Sequence, residues 1–165
     1  MWATTHEETI EFETQDSAEQ SLHEEVMSYQ SEPETAVYEA ETRSFSDEER
    51  RILLRIAMAE AEGEDTEGKA LVMLVVLNRM DDDEFPDTVK GVVFQRGQFS
   101  PVRDNGRYWD VIPDDDCYAA LSAVASGWDG SHGALYFENP YGQEDTWHSR
   151  NLTKLFSHGN HVFYR

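Results

Sequence analysis

Glu60 is the residue whose type and spacing point most directly to chemistry. It follows Ile52, Leu53, Ile56 and Ala57 at intervals of three and four, so on an α-helix it continues an apolar stripe. An ionised carboxylate in that place is costly, and it either finds a cationic partner or sits in a cleft where desolvation raises its proton affinity. The second arrangement makes a general acid, and glycosidic cleavage needs such a group to deliver a proton to the leaving oxygen. Arg55, Arg79 and Arg150 are the candidate partners for the first arrangement. The spacing alone leaves both open, and a Glu that only pairs with an Arg is the commoner outcome. The neighbouring acids Glu62, Glu64 and Glu67 surround Gly63 and Gly68. That segment reads as helix end, turn and next helix start, where acids are expected to be solvated.

Other chemistry-bearing residues carry less. His158 and His161 are three apart, with His148 and Glu144 upstream, a spacing that matches no recognised zinc signature, so no metal or other cofactor is expected. His161 is better suited to a structural hydrogen bond between its strand and the helix of Glu60. The run Asp81-Asp82-Asp83-Glu84 lacks the alternation and closing Glu of a calcium loop and reads as a solvated turn. A single cysteine, Cys117, excludes an internal disulfide framework and a multi-cysteine zinc site, and is expected to pack within a helix.

The elements that must position Glu60 can be read in order. Ser46-Asp47-Glu48-Glu49 has the capping-box pattern and predicts a helix start. Asp65 or Thr66 can cap a second helix from Glu67 to about Met80, whose run Ala70 to Leu77 is apolar all round and belongs in a core. Its valine content leaves a buried strand open, but length without Gly or Pro after Gly68 favours helix. Phe85-Pro86 should stop it. Asp87-Thr88 can cap a short helix through Val93, and Pro113 with Asp114-Asp115-Asp116 opens a third long helix. Tyr118, Leu121, Val124 and Ala125 supply its apolar side, and Gly127 is a natural C′ residue. The aromatic runs Ala134 to Phe137 and His161 to Tyr164 suit a small antiparallel sheet, with a turn at Asn139-Pro140-Tyr141-Gly142 and a Trp-His segment between them. The fold class predicted is α+β, mainly helical.

Composition bounds the rest. The chain has 165 residues and a formal charge of −21, unevenly spread: residues 1–50 hold 15 acids and 2 bases, residues 51–165 hold 19 and 11. No Lys/Arg surface is available to neutralise phosphates, so nucleic-acid binding is excluded, and anionic membrane surfaces are disfavoured likewise. The longest apolar run is eight residues, short of the roughly 20 a membrane-spanning helix needs, so no span is expected. No Lys or Arg precedes Arg43 and there is no apolar stretch near the N-terminus, so no signal peptide is expected in this chain and any export needs another route. Residues 1–45 hold neither a helical nor a strand period and read as an acidic tail of low order. As a functional alternative, the tail is an arm that docks a protein partner. Residues 46–165 are the expected folded domain.

The opening motif Ala59-Glu60-Ala61-Glu62-Gly63-Glu64, continuing through Gly68 to Leu77-Asn78-Arg79, resembles that of the SleB/CwlJ family of bacterial cell-wall hydrolases, the spore-cortex-lytic enzymes of germination. Further blocks match in order: Phe85-Pro86, Val89, Gly91-Val92-Val93, Gln95 to Phe99 with Ser100-Pro101-Val102, and Gly127-Trp128. Then come Ala134-Leu135-Tyr136-Phe137-Glu138-Asn139-Pro140, Thr146-Trp147-His148-Ser149-Arg150, and Gly159-Asn160-His161-Val162-Phe163-Tyr164. The resemblance covers residues 46–165.

The resemblance implies a compact lysozyme-like, transglycosylase-like domain acting on peptidoglycan glycan strands, with one essential Glu that maps to Glu60. Members of the SleB type are lytic transglycosylases, cleaving between N-acetylmuramic acid and N-acetylglucosamine to leave a 1,6-anhydro end. That chemistry needs a single carboxylate, because the substrate supplies its own nucleophile. If water attacks instead, a second acid such as Glu64 or Glu138 should stand across the groove. Many relatives carry Arg where this chain, like the CwlJ-like branch of the family, has Glu62; that branch is less securely assigned a bond specificity. Older naming as N-acetylmuramoyl-L-alanine amidases keeps a different class open, and a non-catalytic peptidoglycan-binding module is a third alternative. Phe99, Trp128, Tyr136, Phe137, Trp147 and Phe163 are aromatic enough to stack on sugars, although most must be core in so small a domain. Tyr136 and Trp147 are the leading groove candidates, with Phe99 beside them. Gln98, Ser149 and Arg150 are candidate donors to the substrate, Arg150 to a carboxylate, with a plain surface ion pair as its alternative. The expected place of action is the bacterial cell wall or the spore cortex.

Overall fold

A computed structural model describes residues 42–103, 106–143 and 145–165. The acidic tail expected over residues 1–45 therefore lies outside the described residues apart from its last four. Those four already belong to the fold: the Arg43 backbone N–H donates to Ala125 O at 2.9 Å, its guanidinium to Asp81 at 2.8 Å, and Phe45 packs against the core.

Helix α1 (Asp47–Glu60) opens with the capping box its sequence predicts. Ser46 Oγ accepts from the Glu49 N–H at 3.3 Å, and Glu49 Oε2 accepts from the Ser46 N–H at 2.8 Å, a pairing typically worth ~1 kcal/mol. Helix α2 (Thr66–Met80) is capped by Asp65, which accepts from the Gly68 N–H at 2.9 Å. It is helix rather than strand, and its apolar perimeter has a simple cause. Met73, Leu74, Val76 and Leu77 pack among the other helices, while Leu71 and Val75 face Ala134 and Phe163 on the sheet side. A helix between two packing partners needs no polar face.

Helices α3 (Val89–Val93) and α4 (Asp115–Ala125) start where Thr88 and Asp114 cap them. Cys117, Ala120, Leu121 and Val124 form the buried side of α4. Tyr118, expected on that side, is instead 56% exposed, because the buried stripe runs through Cys117, one residue earlier. Gly127 ends the segment at φ +90°, in the left-handed region where a side chain is disfavoured.

Strands β1 (Tyr136–Glu138), β2 (Lys154–His158) and β3 (His161–Tyr164) form an antiparallel sheet in the order β1-β3-β2, with Tyr136 opposite Tyr164 and His158 opposite His161. Between β1 and β2 lies a short helix, α5 (Trp147–Asn151), capped by Thr146. Neither β2 nor α5 is visible as an element in the sequence. Leu155 and Phe156 are adjacent rather than alternating, and the pairing shifts register between Lys154 and Phe156. The architecture is thus α+β and mainly helical. Among the described residues no helix is long and apolar enough to cross a membrane.

Candidate active site

The C-terminal end of α1 and the sheet border a groove of about 760 Å³. Glu60 and Ala61 enter it from α1, Arg79 from α2, and Gln98 and Phe99 from the loop after α3. Tyr136, Phe137 and Glu138 enter from β1, Trp147 and His148 from α5, and Asn160 and His161 from the β2–β3 hairpin. Helix α1 delivers Glu60 as its last residue, so the side chain continues the buried stripe of Leu53, Ile56 and Ala57 and then meets open space.

The Glu60 carboxylate is half-buried, and no described residue donates a hydrogen bond to it. Burial pushes its pKa from 4.5 up to about 7, against the opposing pull of the Arg79 charge. Desolvation wins because the guanidinium is itself tied elsewhere. Arg79 Nε donates to Leu135 O at 2.6 Å, and its planar head lies 5.1 to 5.2 Å from the ring centres of Phe85, Phe99 and Tyr136. Burial lowers the Arg79 pKa to about 10, which still leaves it charged at neutral pH. One of its terminal nitrogens, Nη1, is buried without a hydrogen-bond partner.

The other two groove carboxylates both accept hydrogen bonds. Glu64, expected to be solvated, is 7% exposed at its side chain. Its Oε1 accepts from the Asn160 backbone N–H at 3.0 Å and from Asn160 Nδ2 at 2.9 Å. The hairpin turn closes over it so tightly that a Cβ on Gly159 would lie 1.7 Å from Glu64 Oε2, and Gly159 has φ +52°. Beside this contact, His158 Nε2 lies 2.7 Å from Asp65 Oδ1, joining the same hairpin to the cap of α2. Glu138 Oε1 accepts from Thr146 Oγ1 at 2.6 Å and from Tyr164 OH at 2.8 Å, while Oε2 pairs with His148 Nδ1 at 3.0 Å.

His161 is buried at the groove edge with its ring against Phe137, and burial lowers its pKa. Its Nδ1 makes no hydrogen bond and stands 3.8 Å from Glu64 Oε1. The hydrogen bond to the Glu60 helix expected of this histidine is therefore not made through Nδ1. Of the histidines weighed as metal ligands, His148 and His158 pair with separate carboxylates, and no three His, Cys, Asp or Glu side chains among the described residues are grouped to hold a metal. Glu144 lies outside the described residues.

Of the other residues singled out from sequence, Gln98, Phe99, Tyr136 and Trp147 line the groove; Phe99, 3% exposed, forms its floor. Ser149 and Arg150 do not line it. Ser149 serves the capping box of α5, its hydroxyl accepting from the Thr146 N–H at 2.9 Å. Arg150 takes the surface alternative, an ion pair with Asp145 at 3.1 Å. The cause is local pairing at the start of α5: the Ser149 hydroxyl is turned back to Thr146 and the Arg150 guanidinium to Asp145 and the Thr146 carbonyl. Sequence reasoning missed Asn160, His148 and Tyr141 as groove residues. The Asn-Pro-Tyr-Gly turn that leaves Tyr141 86% exposed was the available signal for the last. The other two depend on contacts 96 and 10 residues away, which no local pattern reveals.

Fold and site together define a small α+β domain with a groove built around one carboxylate that is raised in proton affinity and unpaired among the described residues. Residues 63–164 match the family described as Cell Wall Hydrolase, and the chain belongs to that family. The match begins just past Glu60. Among curated relatives, the spore cortex-lytic enzyme of Oceanobacillus iheyensis is 36% identical over 122 residues, 73% of this chain and 43% of that one. The spore cortex-lytic enzyme of Bacillus subtilis is 35% identical over 103 residues, 62% of this chain and 33% of that one. This chain thus matches under half the length of these relatives. The solved catalytic domain of the germination-specific lytic transglycosylase SleB from Bacillus anthracis superposes with a TM-score of 0.64 at 28% identity, covering 74% of this chain and 98% of that domain.

Proposed function

We propose that this chain cleaves peptidoglycan glycan strands between N-acetylmuramic acid and N-acetylglucosamine as a lytic transglycosylase, with Glu60 as its acid and base, and that it acts on spore cortex during germination. The relatives named above support the substrate and setting. One observation supports the single-acid mechanism: Glu60 alone among Glu60, Glu64 and Glu138 receives no hydrogen bond from a described residue, while Glu64 accepts two from Asn160 and Glu138 is held by Thr146, Tyr164 and His148.

Protonated Glu60 gives its proton to the glycosidic oxygen as the bond to C1 breaks. The resulting carboxylate then takes the proton of the muramoyl 6-hydroxyl while that oxygen closes onto C1, yielding a 1,6-anhydro end and a protonated Glu60 ready for the next turnover. Arg79 supplies the charge that makes the intermediate carboxylate tolerable. Residues 46–165 carry this activity, and the acidic arm over residues 1–45 suits docking to a protein partner.

The test is mass spectrometry of fragments released from purified cortex peptidoglycan by the wild type and by Glu60→Gln. Anhydro-muramoyl ends that vanish in the variant are the expected result. Reducing ends would mean that water attacks and a second catalytic group is at work. Free stem peptides, lost in chelator and regained with zinc, would mean an amidase. No release by either protein would favour a binding module.

A further inference from the structure

The Glu138–His148 pair, where β1 and α5 line the groove, is not used by the mechanism above. Glu138 accepts from two hydroxyl groups on Oε1, Thr146 at 2.6 Å and Tyr164 at 2.8 Å. Two short bonds from hydroxyl donors suit an ionised acceptor. An ionised Glu138 facing His148 Nδ1 at 3.0 Å requires the proton to be on Nδ1. In the neutral imidazole, Nε2 is then a bare acceptor. No described residue pairs with Nε2, and His148 lines the groove between Tyr136 and Trp147, whose rings lie 6.3 and 5.4 Å from its own. Trp147 and Tyr141 beside it are 58% and 86% exposed, offering flat apolar faces of the kind that cover sugar rings.

We infer that His148 is a specificity-determining contact for the glycan, its Nε2 accepting a hydrogen bond from a sugar hydroxyl or acetamido N–H, with Glu138 as the positioning residue that sets the tautomer. The inference rests on the glycan-binding part of the reading above, but not on the identity of the acid. Glu138 therefore contributes through the orientation of a neighbour rather than as the second acid its sequence position suggested.

The two parts can be separated because Glu138→Gln keeps the shape of the side chain and reverses one bond. Its amide oxygen can still accept from Thr146 and Tyr164, but its NH2 must donate to His148 Nδ1, moving the imidazole proton to Nε2 and turning the acceptor into a donor. His148→Phe keeps the ring packing and removes both nitrogens. Affinity for glycan strands stripped of stem peptides would be measured in full-length Glu60→Gln protein, which does not turn over, by calorimetry, alone and combined with each change. Nitrogen-15 NMR of the histidine ring would be recorded in parallel.

The expected result is an unprotonated Nε2 on His148 that shifts on saturation with glycan, a proton transferred to Nε2 by Glu138→Gln, and a roughly tenfold weaker Kd in both variants, one good hydrogen bond in a desolvated site. Unchanged affinity in both, a His148 ring signal indifferent to saturating glycan, or no glycan binding by the Glu60→Gln protein would each overturn the inference. Failure of the acid assignment would show elsewhere, as continued lysis by Glu60→Gln.

Discussion

At the scale of single residues, the proton of Glu60 bears on stability and, on the proposed mechanism, on activity as well. Its pKa of about 7 in the fold lies above its ordinary 4.5, so the folded state holds this proton over a range where the unfolded chain has released it. The associated stability is full below about pH 4.5 and is lost as pH rises through 7. At pH 8.5 the ionised carboxylate costs on the order of 3 kcal/mol. Glu60→Gln is expected to melt several degrees above the wild type at pH 8.5 and close to it at pH 4, as differential scanning calorimetry would show; a difference independent of pH would refute the burial argument. Activity should follow the acid form, so kcat/KM for glycan release falls about tenfold per pH unit above 7.

The legibility of these residues was unequal for a physical reason. Glu60 was readable because a helix converts spacing into facing, so four apolar residues announced where the fifth would point. Glu64, four positions on, was misread as solvated because beyond Gly63 the helix has ended, and its burial is created by Asn160, 96 residues away. Ser149 and Arg150 were placed in the groove by their neighbours, and the unseen helix α5 turned them out of it.

At the scale of elements, every helix of eight residues or more among the described residues starts at a polar cap that its sequence displays, Ser46, Asp65 and Asp114. Helix boundaries were legible because capping is local. Strand β2 was not, since its partner is the only thing that makes Lys154 to His158 a strand, and the irregular register erases the alternation. The β2–β3 turn is where elements constrain each other most. Gly159→Ala would place a methyl group inside the Glu64 carboxylate and force a strained φ, so Glu64 must leave Asn160. A loss of about 2–3 kcal/mol is expected from the broken charged hydrogen bonds and backbone strain, read as a lower denaturant midpoint at unchanged slope. A midpoint equal to the wild type would show that Glu64 has another seat.

At the scale of the whole molecule, charge opposes folding. Acids outnumber bases by 34 to 13, and the surface ion pairs Arg43–Asp81, Lys90–Glu48, Arg107–Glu62 and Arg150–Asp145 are exposed, each typically worth ~0–1 kcal/mol. Salt screens these attractions and the net repulsion alike, but repulsion is summed over many more charges and reaches further. The melting temperature should therefore rise as sodium chloride goes from about 10 to 150 mM, over which the screening length shrinks from ~30 to ~8 Å. A fall would mean that the four pairs outweigh the excess of acid. The resemblance read over residues 46–165 and the family match over residues 63–164 agree on this same body of the chain, which is why its class was legible before any coordinate was known.

The tie between Glu64 and Asn160 also orders events in time. A groove whose walls come from residues 60–64 at one side and 160–161 at the other cannot exist until residue 161 has been added to the growing chain. Helices α1 and α2 leave the ribosome some 80 residues before the hairpin that closes over their junction, and local helical contacts form far faster than so distant a pairing. Until residues 160–161 have emerged, the groove that Glu60 enters lacks that wall. The groove, and with it the proton affinity of Glu60, is thus a late product of chain synthesis.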